Sequence, residues 1–349
     1  MPSSTRVWRQ IEKRDSLHDA QVIAMSFAVD RTEGGRVSVR DVLFDAERRL
    51  QAAGVPSPSV DAAVLVAQVM GVSRSTLMLH DPIDPEQRVQ IETLITRRLS
   101  RVPLQHITGV AHFRHLDLAV GPGVFIPRPE TELVAEAAIR ALRDAGGGIA
   151  VDLCSGSGAV ALAMATEVPN AVVYAVEVDD IAVDWTRRNV RDHAEALVRV
   201  GSRVEVIHDD AAHVADRDHA LHDLVERVNV VAANPPYIPS GMIPREIEVR
   251  DYDPAMALFS GSDGLDLTRK LIATAAVLLR SGGLYVTEHA DGQGDAAGEV
   301  GVPWLLSSAR VDDHLTHRVN QPIGETLFTT VVDRCDLNGL PRFTMAIRR

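Results

Sequence analysis

Strands and helices alternate along the chain from residue 149 onward, and this alternation restricts the fold more than any other feature of the sequence. The segments that read as strands are rich in β-branched residues, and they are IAVDLCS, AVVYAVEV, RVEVIHD and VNVVAANPPY. Strands joined by helices form a parallel sheet with right-handed crossovers. Nearer the C-terminus, GGLYVTEH adds a strand, and TLFTTVVDR and PRFTMAIRR are spaced like an antiparallel hairpin at a sheet edge. We therefore predict an α/β fold.

The residues before this region show helical rather than strand periodicity. Four stretches between residues 37 and 100 carry apolar residues at helical spacing, separated by polar or proline-containing breaks, which predicts a small helical domain. Residues 101–127 hold short alternating segments punctuated by glycine, so we expect a β-hairpin linker there, followed by the α/β domain over 128–349. Residues 1–36 have little periodicity and are interpreted as a poorly ordered extension.

Composition argues against several classes of function. No apolar run approaches the roughly 18 to 20 residues that cross a bilayer, and the N-terminus lacks the apolar segment of a secretory signal, so we expect a soluble, cytoplasmic protein without a membrane partner. The formal net charge of −12 disfavours direct nucleic-acid binding, because phosphates require a clustered positive surface. Cys154 and Cys335 lie far apart without a CxxC spacing, so neither a disulfide framework nor a metal site is indicated.

The sequence VDLCSGSGAVALA reads as a strand, a glycine-rich turn and the start of a helix. Gly156 and Gly158 let the backbone turn sharply and leave room for a ligand where a Cβ would collide. About 20 residues further on, Glu177 ends the next strand, where a carboxylate can bind the hydroxyls of a ribose. NAD enzymes and S-adenosylmethionine enzymes both use such a pair, so these residues alone leave the cofactor open.

The fourth strand ends in a run of prolines, in VNVVAANPPYIPS. Pro235 and Pro236 cannot donate to a sheet ladder, so the strand must stop at Asn234. The residue before a proline is kept out of the α region, which holds Asn234 extended at the carboxyl end of its strand. Ligands of open α/β sheets lie beyond these strand ends, so the glycine turn, Glu177 and Asn234 should share one crevice.

Hydride transfer gives no reason for the NPPY sequence, whereas methylation of a planar amino group does. The lone pair of such a nitrogen is delocalised, and two acceptors on its N–H groups can orient that lone pair toward a methyl donor. The side-chain oxygen of Asn234 and the carbonyl of Pro235 are the candidate acceptors. Tyr237 is placed to stack on the flat target, and the prolines keep the group rigid.

At this point the sequence resembles the release-factor glutamine N5-methyltransferases, known as PrmC or HemK. The matching strings are PLQHITG, FIPRPETELV, DLCSGSGAVALA, NPPYI, GSDGLDL and, more loosely, EHADGQG and DLNGLPR, and they cover roughly residues 38–349. The resemblance implies a Rossmann-like class I methyltransferase sheet with an N-terminal helical-bundle domain and a β-hairpin linker. It also implies S-adenosylmethionine as cofactor, and methylation of the glutamine in the GGQ motif of class 1 peptide chain release factors.

The resemblance carries over to particular positions of this chain. It implies that the cofactor is bound by Glu177, by Asp210 after the third strand, by Asn234 and by the glycine turn, which comprises Cys154, Ser155, Gly156, Ser157 and Gly158. The target glutamine would meet Asn234, Pro235, Pro236 and Tyr237. No metal and no covalent intermediate are required, because the sulfonium supplies the leaving group and the proton can leave the nitrogen after attack.

The sequence departs from the family pattern at one residue and at one insertion, and the segment that contains Glu130 allows two interpretations. Cys154 stands where the family usually has glycine, which is tolerable outside a left-handed conformation, and the insertion AAHVADRDHALHDLVER follows Asp210. One wall of the site is predicted to consist of Phe125, Arg128 and Glu130. For Glu130 there is an alternative, in which it caps a helix that starts at a proline. An amino-methyltransferase for a nucleic-acid base is the alternative enzyme, and a cofactor-binding scaffold without catalysis is the alternative class.

Overall fold

The computed structural model describes residues 37–349 apart from positions 313, 316, 317 and 320. The extension expected over residues 1–36 therefore lies outside the described residues. The chain divides into two compact units, one ending at Thr108 and the other beginning at Gly109. Each unit has an apolar core of its own.

The first unit is helical. Its helices are α1 (Val39–Ala52), α2 (Pro58–Met70), α3 (Pro85–Leu99) and the short α4 (Leu104–Thr108). The N-cap residue of α1, Ser38, accepts a hydrogen bond from the Arg40 amide, which satisfies one of the free N–H groups of the first turn. Apolar residues from α1, α2 and α3 form the core, and a buried Asp61–Arg98 ion pair of 2.7 Å joins α2 to α3.

The second unit opens with a hairpin and then forms the sheet. Strands β1 (Val110–Phe113) and β2 (Leu116–Ala119) pair antiparallel and precede helix α5 (Thr131–Asp144). The remaining elements, in chain order, are β3 (Gly148–Leu153), α6 (Ala159–Glu167), β4 (Ala171–Glu177), α7 (Asp180–Asp192), α8 (Ala194–Arg199), β5 (Arg203–His208), β6 (Val228–Ala233), α9 (Ile247–Tyr252), α10 (Asp266–Leu278), β7 (Leu279–Glu288), α11 (Val302–Ser308), β8 (Phe328–Cys335) and β9 (Pro341–Arg348).

The large sheet has the strand order β5-β4-β3-β6-β7-β9-β8. The first five strands in this order are parallel, and β9 pairs antiparallel with both β7 and β8. The α/β prediction and the antiparallel hairpin at the sheet edge are thus confirmed. Strand order reverses between β3 and β6, and ligands of such sheets bind at this reversal, outside the carboxyl ends of the strands.

Both faces of the sheet are covered by apolar side chains. Successive residues of a strand point to opposite faces, and in β3 Ala150 packs into one core cluster while Val151 packs into the other. Burial on both faces explains why the parallel strands read as nearly continuous apolar runs. Among the helices of the described residues, none combines the length and the apolarity needed to cross a bilayer.

Candidate active site

A cavity of about 850 Å³ opens beyond the carboxyl ends of β3, β4, β6 and β7, within the second unit. Its size is typical of sites that hold a small ligand or cofactor. Of the residues predicted to bind the cofactor or the target, those that line it are Cys154, Ser155, Gly156, Ser157, Glu177, Asn234, Pro236 and Tyr237. The predicted crevice shared by the glycine turn, Glu177 and Asn234 therefore exists. Gly158, Pro235 and Asp210 are not among the described residues of the lining.

The turn after β3 has the backbone that its glycines predict. Gly156 and Gly158 have φ of +55° and +82°, and Gly158 is the N-cap residue of α6. A Cβ added at Gly156 would meet no atom within 4 Å, so that stretch of backbone faces open space. The hydroxyl oxygen of Ser155 is buried and has no hydrogen-bond partner among the described residues, which leaves it free for a polar group of a ligand.

Cys154 is in the left-handed region, with φ of +66°. The sequence argument accepted a cysteine here only outside that region, and the structure contradicts this condition. A left-handed residue with a Cβ is strained, and the turn is held in this conformation by the Ser155 amide, which donates to the Val176 carbonyl at 2.9 Å. Burial raises the pKa of the Cys154 thiol well above its usual range, with further effects from Glu177, Asp152 and Asp210, so the sulfur stays protonated at neutral pH.

Glu177 ends β4 and ties together the two loops that flank it. Its Oε2 accepts from the Gly156 amide at 2.8 Å, and its Oε1 accepts from the Val178 and Asp179 amides at 2.9 and 3.0 Å. The carboxylate thus lies against the glycine turn and on the cavity wall, as the sequence predicts. An acidic group in this position can bind paired hydroxyls of a ligand.

Asp152 is a buried carboxyl beneath the same turn, and sequence reasoning missed it. Its Oδ2 accepts from the Ala161 amide at 3.0 Å, and it lines the cavity. Burial raises the pKa of Asp152 to about 8; the Ala161 amide opposes this shift and the charge of Glu177 adds to it. The available signal was an acidic residue inside an otherwise apolar strand, in VDLCSGSG.

Asp210 follows β5 but binds its own loop. Its Oδ1 accepts from the Ala212 amide at 2.9 Å, while the neighbouring Asp209 pairs with His219 at 3.0 Å. Because β5 is parallel to β4 and β3, Asp210 follows the carboxyl end of its strand at the same edge of the sheet as the glycine turn. A contact between Asp210 and a cofactor stays a prediction.

Asn234 directly follows β6, and among the described residues only the NH₂ group of its carboxamide is hydrogen-bonded. Its Nδ2 donates to the hydroxyl of Thr131 at 3.2 Å, and its Oδ1 has no hydrogen-bond partner among the described residues. Tyr237 donates through its hydroxyl to Glu288 at 3.2 Å, and its carbonyl accepts from Gln293 Nε2 at 3.0 Å. Pro235 is buried between them, and Pro236 lines the cavity.

Thr131 and Glu288 bond to the side chains of Asn234 and Tyr237, and neither was selected from the sequence. Glu288 is 1% exposed, accepts from Thr131 at 2.7 Å and from Tyr237 at 3.2 Å. Burial raises the pKa of Glu288 to about 7, and the two hydroxyl donors limit that rise. Glu288 ends β7 as Glu177 ends β4, so the same argument could have found it. Thr131 follows Glu130 in the string PRPETE.

The residues before α5 form one wall of the cavity. The guanidinium of Arg128 lies 5.1 Å from the centre of the Phe125 ring and pairs with the buried Asp253 at 2.7 Å, and both Phe125 and Arg128 line the cavity. Glu130 occupies the N-cap position of α5 but makes no capping hydrogen bond through its side chain. Within the described part of the chain, no cluster of three or more His, Cys, Asp or Glu residues could hold a metal ion.

Comparison with known proteins relates both units to a methyltransferase family. Residues 41–109 match the PrmC N-terminal domain, and residues 115–242 match the methyltransferase small domain. A release factor glutamine methyltransferase of Streptomyces coelicolor is 45% identical over 86% of this chain and 95% of its own length. A protein of the same name from Mycolicibacterium smegmatis is 42% identical over 89% of this chain and 98% of its own length. Another, from Bifidobacterium longum, is 41% identical over 74% of this chain and 89% of its own length.

Proposed function

The chain belongs to the family of release factor glutamine methyltransferases, and from this premise we propose that it transfers a methyl group from S-adenosylmethionine to a release factor. The acceptor is N5, the side-chain amide nitrogen, of the glutamine in the GGQ motif of class 1 peptide chain release factors. Because these factors act on ribosomes, we expect the enzyme to work in the cytoplasm.

The residues around the cavity fit S-adenosylmethionine. The backbone at Gly156 is open to a ligand, the buried hydroxyl of Ser155 lacks a partner, and Glu177 offers a carboxylate for the ribose hydroxyls. Glu177 places a carboxylate on the wall of the cavity where a cofactor of net positive charge would lie, whereas Asp152, whose pKa burial raises to about 8, is mostly protonated at neutral pH. When bound, the cofactor supplies an electrophilic methyl group and a neutral thioether as leaving group.

The protein's part in the reaction is to orient the glutamine amide. The Asn234 oxygen accepts one N–H of the target, and the Pro235 carbonyl accepts the other, which directs the nitrogen lone pair away from both acceptors. Tyr237 covers the flat amide, and its hydroxyl bond to Glu288 keeps the ring in place. The amide proton leaves after attack, so no dedicated general base is needed.

One observation carries the proposal: Asn234, whose side-chain oxygen has no hydrogen-bond partner among the described residues, lines the same cavity as the glycine turn after β3. A nucleic-acid amino-methyltransferase shares this feature, so the substrate has to be tested directly. We would incubate the enzyme and radiolabelled S-adenosylmethionine with a class 1 release factor, with RNA and with DNA. Label should enter the release factor alone, at the GGQ glutamine.

The variant Asn234→Ala tests the role of the amide. Loss of one preorganised polar group should lower methyl transfer to release factor by on the order of 100-fold or more. Binding of S-adenosylmethionine, measured by calorimetry, should change by only a few-fold. Unchanged turnover in Asn234→Ala, or label in nucleic acid rather than in protein, would contradict the proposal.

A further inference from the structure

We infer that Thr131 and Glu288 are positioning residues that decide which way the Asn234 carboxamide faces. They hold its NH₂ group away from the target, so that its oxygen meets the N–H of the substrate amide. The inference rests on the proposed function and deepens it, because it assigns the selection of the correct amide rotamer to two residues that act on the target through Asn234.

A continuous chain of polar contacts joins the three residues. Glu288 Oε2 and Thr131 Oγ1 are 2.7 Å apart, and Thr131 Oγ1 and Asn234 Nδ2 are 3.2 Å apart. Thr131 and Glu288 are 3% and 1% exposed, so water does not compete for these bonds. These hydrogen bonds thus connect the end of β7, the first residue of α5 and the end of β6.

The single proton of the Thr131 hydroxyl determines which rotamer the Asn234 carboxamide adopts. A hydroxyl has one proton, and an ionised carboxylate can only accept, so Thr131 must donate that proton to Glu288. The Thr131 oxygen can then only accept from Asn234. The Nδ2 of Asn234 has N–H to give, whereas its Oδ1 does not. The rotated carboxamide would bring two acceptor oxygens together, so Oδ1 is left facing the cavity.

A rotated Asn234 would also fail in catalysis. Its NH₂ group would meet the NH₂ of the target glutamine, and two donors repel each other instead of bonding. The nitrogen lone pair would lose one of the acceptors that orient it. Since a carboxamide has nearly the same shape in both rotamers, packing alone cannot choose between them, and the choice depends on hydrogen bonding.

The protonation state of Glu288 determines which atoms donate and which accept in the hydrogen bonds that join Glu288, Thr131 and Asn234. Burial raises the pKa of this carboxyl to about 7. The groups that act on it are the hydroxyls of Thr131 from α5 and Tyr237 after β6, the charge of Arg342 from β9, and Glu130 before α5. Above this pKa the carboxylate accepts from Thr131. Below it the acid has a proton to donate, the Thr131 hydroxyl can turn toward Asn234, and the rotated amide becomes favourable.

The first test compares Thr131→Val with Thr131→Ser. Valine has the shape of threonine but cannot accept from Asn234, so kcat with release factor should fall about tenfold or more. The KM for release factor and the calorimetric Kd for S-adenosylmethionine should stay within about threefold. Serine restores the hydroxyl and should restore most of kcat, which loss of packing at this site would not predict.

The second test follows kcat across pH 5.5 to 8.5. In the wild type, kcat should fall as pH drops below about 7, because protonated Glu288 no longer holds Thr131 as a donor. Glu288→Gln has no ionisation, and its carbonyl still accepts from Thr131 when its NH₂ donates to the Tyr237 oxygen. This variant should keep much of the wild-type kcat and lose the acidic fall.

Three kinetic outcomes overturn the inference. It is wrong if Thr131→Val turns over release factor like the wild type, if Thr131→Ser is as impaired as Thr131→Val, or if the acidic fall persists in Glu288→Gln. If the wild type binds S-adenosylmethionine but methylates no release factor, the proposed function fails instead. The side-chain ¹⁵N signal of Asn234, identified by its loss in Asn234→Ala, then decides: its shift should change in Thr131→Val, and an unchanged shift rejects the inference.

Discussion

At the scale of single residues, the left-handed conformation of Cys154 is the least expected feature of the site. Its φ of +66° places a Cβ in a backbone region that costs an ordinary residue about 1 to 2 kcal/mol. The amide of the next residue, Ser155, bonds to the Val176 carbonyl at 2.9 Å, which anchors the turn to β4. The strain therefore persists because the surrounding structure over-determines the turn, as is common at functional sites.

This strain can be measured with two substitutions at one position. Cys154→Val adds a second γ group that is poorly tolerated at positive φ, and it should lower the free energy of unfolding by roughly 2 kcal/mol. Cys154→Gly removes the strain but also loses the packing of the side chain and frees the unfolded chain, so it should stay within about 1 kcal/mol of the wild type. Urea titration checks both. Equal destabilisation by valine and glycine would show that side-chain packing, not φ, controls this position.

At the scale of elements, three loops meet at the side chain of Gln293. Its Nε2 donates to the carbonyls of Tyr237 and Asp263 at 3.0 and 3.1 Å, and its Oε1 accepts from the Ala290 amide at 3.0 Å. Gly264, which has a φ of +82°, also packs directly against the Tyr237 carbonyl and so restricts the position of the loop after β6. The loop after β6 is thus fixed from outside the NPPY sequence itself.

Gly264→Ala should disturb the site through this contact. A Cβ there would overlap the Tyr237 carbonyl oxygen and lie 2.8 Å from Gln293 Nε2, so the loop that carries the target-binding residues must shift. We expect methyl transfer to fall by roughly tenfold to 100-fold, since small displacements of positioned groups cost this much, while S-adenosylmethionine affinity changes little.

Gly241→Ala is the matched control in the same region. It has no left-handed φ and no atom within 4 Å of the added Cβ, so steady-state kinetics should be those of the wild type. Full activity in Gly264→Ala, or an equal loss in Gly241→Ala, would mean that the packing of Gly264 against Tyr237 does not hold the loop.

At the scale of the whole molecule, each of the two units has an apolar core of its own. The clusters that form the cores of the second unit draw only on residues after Gly109, and the core of the first unit draws only on residues before it. A single glutamine offers little surface, so discrimination among cellular glutamines requires contacts elsewhere on the release factor. We propose that the helical unit supplies those contacts.

Removing residues 1–108 tests this division. The remaining chain, 109–349, retains the complete sheet and every residue that lines the cavity, so it should fold and bind S-adenosylmethionine within a few-fold of the full chain. Methylation of intact release factor should nearly vanish. Circular dichroism and calorimetry serve as the controls for folding and cofactor binding. If the truncated, folded protein methylates release factor as fast as the full chain does, recognition resides in the second unit.

The sequence by itself determined the features that depend on neighbouring residues. Alternating β-branched and helical segments predict the α/β sheet, Gly156 and Gly158 predict the turn, and Pro235 with Pro236 predicts that β6 stops at Asn234, because each of these follows from local backbone preferences. The same reasoning placed Glu177 and Asn234 at one edge of the sheet, since parallel strands share their carboxyl ends.

Only the tertiary structure decided which side chains bond to the Asn234 carboxamide. Thr131 lies 103 positions from Asn234 and 157 from Glu288, and these three side chains bond to one another. Their contact depends on the strand order, which puts β7 next to β6, and on the packing of α5 against both strands. Backbone preferences act over a few residues, whereas a hydrogen bond across 100 or more residues depends on how whole elements pack. For that reason the NPPY sequence predicts an amide at the cavity, and the fold alone determines which way that amide faces.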